Sequence, residues 1–92
     1  MTIVNDESHQ RYDLYVDDDL AGHMDYIIKG NDLHLTHTEV SPSRREHGLA
    51  SEFVTSVLAD VRAKSELRVV PDCPYVAHWL TEHDGYDDLL AR

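Results

Sequence analysis

The hydrophobic period of the chain changes once, and that change limits the folds open to it. Up to Val40 the apolar residues alternate, as in R-Y-D-L-Y-V-D (Arg11–Asp17) and L-H-L-T-H-T-E-V (Leu33–Val40). From Leu49 they recur at helical spacing, with Leu49, Phe53, Val54, Val57, Leu58 and Val61 on one stripe. Strands therefore precede an amphipathic helix over Leu49–Lys64, whose apolar face needs a sheet to cover. Between the two patterns runs V-S-P-S-R-R-E-H-G-L-A-S, Val40–Ser51. A strand entering a loop that opens a helix leaves backbone N–H groups and the positive end of the helix dipole aimed at one spot, which favours an anion.

Within that loop Gly48 permits a bend that a Cβ would resist, and Ala50 leaves the approach uncrowded. Arg44 and Arg45 can add charge-assisted hydrogen bonds to phosphate. His47 is a further phosphate neighbour by position, whereas the charge of Glu46 opposes an anion unless it points to solvent. The plain alternative is a solvated loop with a glycine near a helix start. A P-loop is excluded by the missing Gly-Lys-Ser/Thr ending, and a dinucleotide fingerprint by the presence of Gly48 alone.

The remaining elements follow in order. Thr2–Asn5 reads as a short edge strand and Asp6–Gln10 as a polar turn. In the strand Arg11–Asp17, period 2 sets Tyr12, Leu14 and Val16 on one face. Asp17-Asp18-Asp19 is a solvated hairpin tip without the spacing of a calcium loop. Leu20–Lys29 is the next strand, with Gly22 a bulge or a close approach, and Gly30-Asn31-Asp32 the following turn. In the strand Leu33–Val40, period 2 places Leu33, Leu35, His37 and Glu39 on one face and His34, Thr36, Thr38 and Val40 on the other. After the helix come a strand, Leu67–Pro71, and a second helix from Pro74 to about His83, followed by a last turn over Tyr86–Leu90. Trp79 is expected to anchor that second helix to the sheet. The fold class is α/β in the α+β, mixed-sheet sense. An antiparallel meander precedes a right-handed β-α-β unit with parallel strands and a C-terminal helix, in one domain over residues 1–92. Ligands of such sheets sit at the carboxyl ends of the strands, which selects Val40–Ser51 again.

Composition narrows the function. Eighteen acidic residues against eight basic ones give a net charge of −10, which repels nucleic acid and anionic membrane. No apolar run is long enough to span a bilayer, the N-terminus lacks the features of a secretory signal, and the lone Cys73 forms no internal disulfide, so a cytoplasmic location is expected. The seven histidines include no pair with useful ligand spacing along the chain. His34 and His37 are expected on opposite strand faces, and His78 and His83 diverge on their helix, so no metal site is expected.

Three blocks carry a family resemblance: H-T-E-V-S-P, then R-x-x-G-L-A, then V-V-P-D-C-P-Y-V. Together, from about Arg11 to Leu90, they resemble the GNAT superfamily of N-acetyltransferases, in its small single-domain YjdJ-type branch. The resemblance implies a compact GNAT-like fold that uses acetyl-CoA as co-substrate and needs no metal. Arg45–Ser51 would bind the CoA pyrophosphate, mainly through backbone N–H groups, with Leu49 and Ser51 in the first helical turn. The pantetheine arm would follow the strand near Glu39 and Val40, and an acceptor amine would attack the thioester directly near Val40, where a backbone N–H polarises the carbonyl. Attack requires a neutral amine, so Glu39 or His37 is expected as general base, and Cys73 or Tyr75 as donor to the departing thiolate. The acceptor, a small-molecule or protein amine, is unspecified, because the chain is too short for the two early helices that shape the acceptor site in larger members. A homodimer is one way to complete that site. The alternative function is a CoA- or acyl-CoA-binding module with little or no catalysis.

Overall fold

The computed structural model describes residues 1–44 and 48–92. Arg45, Glu46 and His47 lie outside the described residues. The elements are β1 (Thr2–Asp6), β2 (Arg11–Val16), β3 (Asp19–Lys29), β4 (Asp32–Val40), α1 (Leu49–Lys64), β5 (Arg68–Pro71), α2 (Pro74–Glu82) and α3 (Asp87–Leu90), with short 3-10 turns at Glu7–His9 and Pro42–Arg44. The five strands form one sheet in sequence order, antiparallel from β1 to β4 and parallel between β4 and β5. The expected mixed-sheet α+β fold, with its meander and its β-α-β unit, is the observed one. Among the described residues no helix is long and apolar enough to cross a membrane.

Phe53, Val54, Val57, Leu58 and Val61, all buried, bring the apolar stripe of α1 onto Leu14, Met24, Leu35 and Val69 of the sheet. Trp79, expected to anchor α2, is buried in the core that α2 shares with the sheet. Its indole Nε1 donates to Ser51 Oγ at 2.7 Å, tying α2 to the first turn of α1, because a buried indole N–H needs an acceptor and the nearest one is on the neighbouring helix. The ring also stacks on His83 with centroids 3.8 Å apart and meets Tyr86 edge-on at 5.2 Å.

Two β-bulges set which side chains face that core. Leu14 pairs with Gly22 but Tyr15 with Leu20, so Ala21 is the extra residue of β3. Tyr26 pairs with Leu35 but Asp25 with His37, so Thr36 is the extra residue of β4, its hydroxyl donating to the Asp25 carbonyl at 3.2 Å. A bulge resets the two-residue alternation. Strict alternation along β4 is therefore corrected. Leu33 and Leu35 face the helices together with Val40 and the half-buried Thr38, whereas His37 and Glu39 are exposed on the opposite face. His34 and His37 accordingly share the outer face instead of opposing one another, the Ile27–His34 and Asp25–His37 pairs lying on either side of the bulge.

Gly22 faces Val40 across β3 and β4. A Cβ built there would stand 2.5 Å from the Glu39 carbonyl oxygen and 3.2 Å from Val40 Cα, both backbone atoms with little freedom to yield. The glycine expected at a bulge or a close approach thus lies beside a bulge and makes a close approach. At the other end of β4, Arg68 grips Asp32 with Nε–Oδ1 2.9 Å and Nη2–Oδ2 3.0 Å, a two-point fork between directly paired residues of the parallel strands.

Two outcomes follow for stability. Gly22→Ala should lower the unfolding free energy by about 1–3 kcal/mol, as overpacking does, while Gly30→Ala, where the new Cβ meets open space, should lose less in spite of its positive φ of 60°. Urea midpoints of the two variants compare them. The Arg68 and Arg62 guanidiniums hold the carboxyls of Asp32 and Asp88 below the usual carboxylate range. A depressed folded pKa adds stability that is present above the unfolded value near 4 and disappears as pH falls through the folded one. The urea midpoint should therefore drop below about pH 4, and less steeply in Arg68→Gln; both pairs are exposed, so added salt should flatten the dependence.

Candidate functional site

The site is built where β4 outlasts its parallel partner. β5 pairs only through Pro71, opposite Leu35, and the chain then turns away: Cys73 N–H donates to the Leu35 carbonyl at 2.7 Å, and Pro74 opens α2. No residue of β5 stands opposite β4 from Thr36 to Val40. The ladder runs from the Asp32–Arg68 pair to the Leu35–Pro71 pair and stops there, so the rest of β4 continues without a β5 partner.

Beyond that strand α1 begins. Gly48 adopts a left-handed φ of 79° at the N-cap and supplies no side-chain cap. The first backbone bond of the helix runs from Glu52 N–H to the Gly48 carbonyl, so the N–H groups of Leu49, Ala50 and Ser51 have no acceptor within the helix. Leu49 itself is buried against the core, Ala50 is half-buried, and the Ser51 hydroxyl accepts the Trp79 indole. The backbone of this turn, more than its side chains, is what it presents to a ligand. Arg44 is engaged elsewhere: Nη2 lies 2.8 Å from Asp19 Oδ2 and Nη1 3.7 Å from Asp17 Oδ2, so the β2–β3 turn already neutralises it. A bound anion would compete with those carboxylates. Arg45, Glu46 and His47, each expected at the anion, lie outside the described residues.

The expected acid and base candidates fall on two faces of β4. Cys73 is buried and free, with Sγ 3.5 Å from Thr38 Oγ1 on the helix-covered side. Tyr75, in the first turn of α2, is exposed. Glu39 and His37 lie on the open face. There Glu39 joins His23, Leu20, Ser41 and Pro42 in lining a shallow depression of about 350 Å³ next to Gly22. A cleft of similar size at the far end of the sheet, about 380 Å³ between Tyr12, Tyr26, Leu33 and Asp60, includes no residue of the strand end or the α1 start. Its hydroxyls are spoken for, Tyr12 donating to Asp60 and Tyr26 to Asn5.

Sequence reasoning missed His23 and Asp25. Both come from β3 and reach His37 and Glu39 only through cross-strand pairing, His23 opposite Glu39 and Asp25 opposite His37. Counting back from the two-residue turn at Gly30-Asn31 would have set His23 opposite Thr38; the extra Thr36 moves it on to Glu39. The local signal for that shift is weak, since threonine is an ordinary strand residue.

Comparison with known proteins bears on what such an arrangement is for. A search among curated proteins found no relative of matching sequence. The profile of the GCN5-related N-acetyl-transferases, however, matches residues 11–89, from the first residue of β2 into α3. With nearly the whole chain inside that match, the protein belongs to the GCN5-related N-acetyltransferase family.

Proposed function

We propose that the chain moves the acetyl group of acetyl-CoA directly to the amine of a small-molecule or protein acceptor. The observation that carries this reading is the end of β4–β5 pairing at Leu35–Pro71, with Cys73 beside Thr38 just beyond it, together with the helix start at Gly48, where the N–H groups of Leu49, Ala50 and Ser51 precede the first helical bond. In this reading the pyrophosphate rests on that helix start beside Gly48, and the dipole of α1 adds to its binding. The pantetheine arm follows the edge of β4 past Val40 and Glu39 where β5 no longer pairs with it, which brings the thioester to the strand itself.

The two faces of β4 then divide the chemistry. An acceptor entering from the open face meets Glu39 and His37, and one of them takes the amine proton directly or through water. The neutral amine attacks the thioester carbon, the tetrahedral adduct collapses, and the C–S bond breaks with the electron pair leaving on sulfur. On the opposite face Cys73, or Tyr75 from the first turn of α2, supplies the proton that converts the thiolate to CoA. No covalent intermediate on the enzyme is needed. The acidic surface suits a cationic or polar amine and disfavours nucleic acid and anionic membranes as partners. A single free thiol accords with a reducing, cytoplasmic setting. A homodimer is one source of the walls that the open face lacks, and a strictly monomeric active protein by sedimentation would remove that idea.

A second reading, an acyl-CoA-binding module that does not turn over, rests on that same open face, where among the described residues no helix encloses an acceptor. Thermal shifts and turnover separate the two. Acetyl-CoA and CoA at about 100 times their dissociation constants should add roughly 2.7 kcal/mol, a rise on the order of ten degrees for a domain of this size, with ATP giving little. Gly48→Trp, at a φ of 79°, should abolish the shift. No shift with millimolar CoA would end both readings. Release of free CoA thiol in the presence of a panel of amines should fall about a hundredfold or more in Glu39→Gln or His37→Gln, with the thermal shift intact. A wild-type protein that binds acetyl-CoA but releases no CoA with any amine would favour the module.

A further inference from the structure

The described histidines divide into two kinds. His9 Nδ1 lies 2.8 Å from Asp6 Oδ2, His34 Nδ1 2.8 Å from Asp72 Oδ2, His78 Nε2 3.1 Å from Glu82 Oε1, and His83 Nδ1 2.8 Å from the Trp79 carbonyl. Each of these rings has at least one partner at hydrogen-bond distance. His23 and His37 do not. Among the described residues neither ring nitrogen of either histidine makes a hydrogen bond. His23 Nε2 instead stands 3.8 Å from Asp25 Oδ2 and 3.9 Å from Glu39 Oε2, beyond hydrogen-bond reach of both. The two rings face each other across β3 and β4 with centroids 6.1 Å apart and planes tilted by 50°, a separation at which they do not stack.

That spacing has a chemical meaning. One ligand atom each from His23, His37 and Glu39 can be chosen so that all three lie within 4.8 Å of one another. Ligands bound at about 2.0–2.1 Å to a tetrahedral ion stand about 3.4 Å apart, slightly closer than these atoms are now. Two imidazoles and one carboxylate form the donor set that first-row divalent metals accept with positions left open for water. Glu39 is 59 % exposed and His23 29 %, so the side chains can rotate inward by the ångström or so required. Asp25, opposite His37 and within 4 Å of His23, adds a second carboxylate that can complete the shell or orient an imidazole.

We infer that the open face of the sheet holds a divalent transition-metal site formed by His23, His37 and Glu39, with Asp25 beside it, and that zinc is the ion it takes most readily in the cell. Hard cations are poor occupants, because two of the three donors are nitrogen. The site is independent of the acyl-CoA reading, since every donor belongs to the β3–β4 ladder. One consequence does rest on that reading: a metal held by His37 and Glu39 occupies the lone pairs that proton abstraction requires, so zinc should inhibit transfer.

Calorimetric titration of Zn²⁺ into the full chain tests the site without reference to activity, and Co²⁺ reports the donors by absorption. One equivalent of Zn²⁺ should bind, with affinity at least tenfold lower in His23→Gln and in His37→Gln, a loss no smaller than that caused by removing an outer-shell partner. His9→Gln and His78→Gln should bind as the unaltered chain does. The Co²⁺ spectrum should lack a thiolate charge-transfer band, since buried Cys73 lies on the other face. Circular dichroism of each variant separates lost ligands from lost fold. Absence of Zn²⁺ binding by the unaltered protein, unchanged affinity in the folded His23→Gln and His37→Gln variants, or a thiolate band with Co²⁺ would each overturn the assignment. None of these outcomes depends on CoA, so failure here and failure of the acetyl-transfer reading are told apart.

Discussion

The extra residue at Thr36 decides what each half of β4 does. Before it, Leu33 and Leu35 belong to the core. After it, Thr38 and Val40 take over the buried role while His37 and Glu39 turn outward beside His23 and Asp25. Without the insertion, period 2 would send a histidine and a glutamate into the apolar space beneath α1, where an unpaired carboxylate is costly. One residue thus keeps the core apolar and assembles a polar cluster on the other side. The hydroxyl of Thr36 on the Asp25 carbonyl satisfies one of the backbone groups that the interrupted ladder exposes.

The ladder between β4 and β5 is short and pinned at one end. Their pairing runs only from Asp32–Arg68 to Leu35–Pro71, and the bidentate contact at its first rung prevents the short ladder from slipping. Pro71 ends it, having no N–H to donate further, and the Cys73 amide makes the last link back to Leu35. Beyond that point the chain follows α2 instead of β4. Gly22 plays the complementary part on the other edge of β4, letting β3 approach the Glu39 carbonyl more closely than any side chain would allow. One edge of the strand is held tight while the other is left open.

Element types and their order were legible in the chain, because hydrophobic period and turn chemistry act locally. The Leu49 stripe, Pro74 at the start of α2, the Gly30-Asn31 turn and Gly48 at the helix entrance each have a local cause, and each stands where expected. The phase of β4 was not legible, because it depends on which residue of β3 lies opposite. The same limit hid the convergence of His23 with His37, fourteen positions apart in sequence and adjacent only across the ladder. The partner of Arg44 was likewise a matter of tertiary placement: the loop arginine that reads as an anion ligand meets Asp17 and Asp19 first. Trp79 belongs to the same group, since an indole signals burial but not the acceptor it will find.

That last placement gives the molecule an optical handle. The chain contains one tryptophan, and its indole N–H is bound to a hydroxyl in the first turn of α1 while its ring lies against His83. Emission from a single indole depends on the polarity and the quenchers within a few ångströms of it. All of the protein's tryptophan fluorescence therefore originates at the junction of α1 and α2, next to the helix start, and any rearrangement of that turn is written into the spectrum of the unlabelled protein.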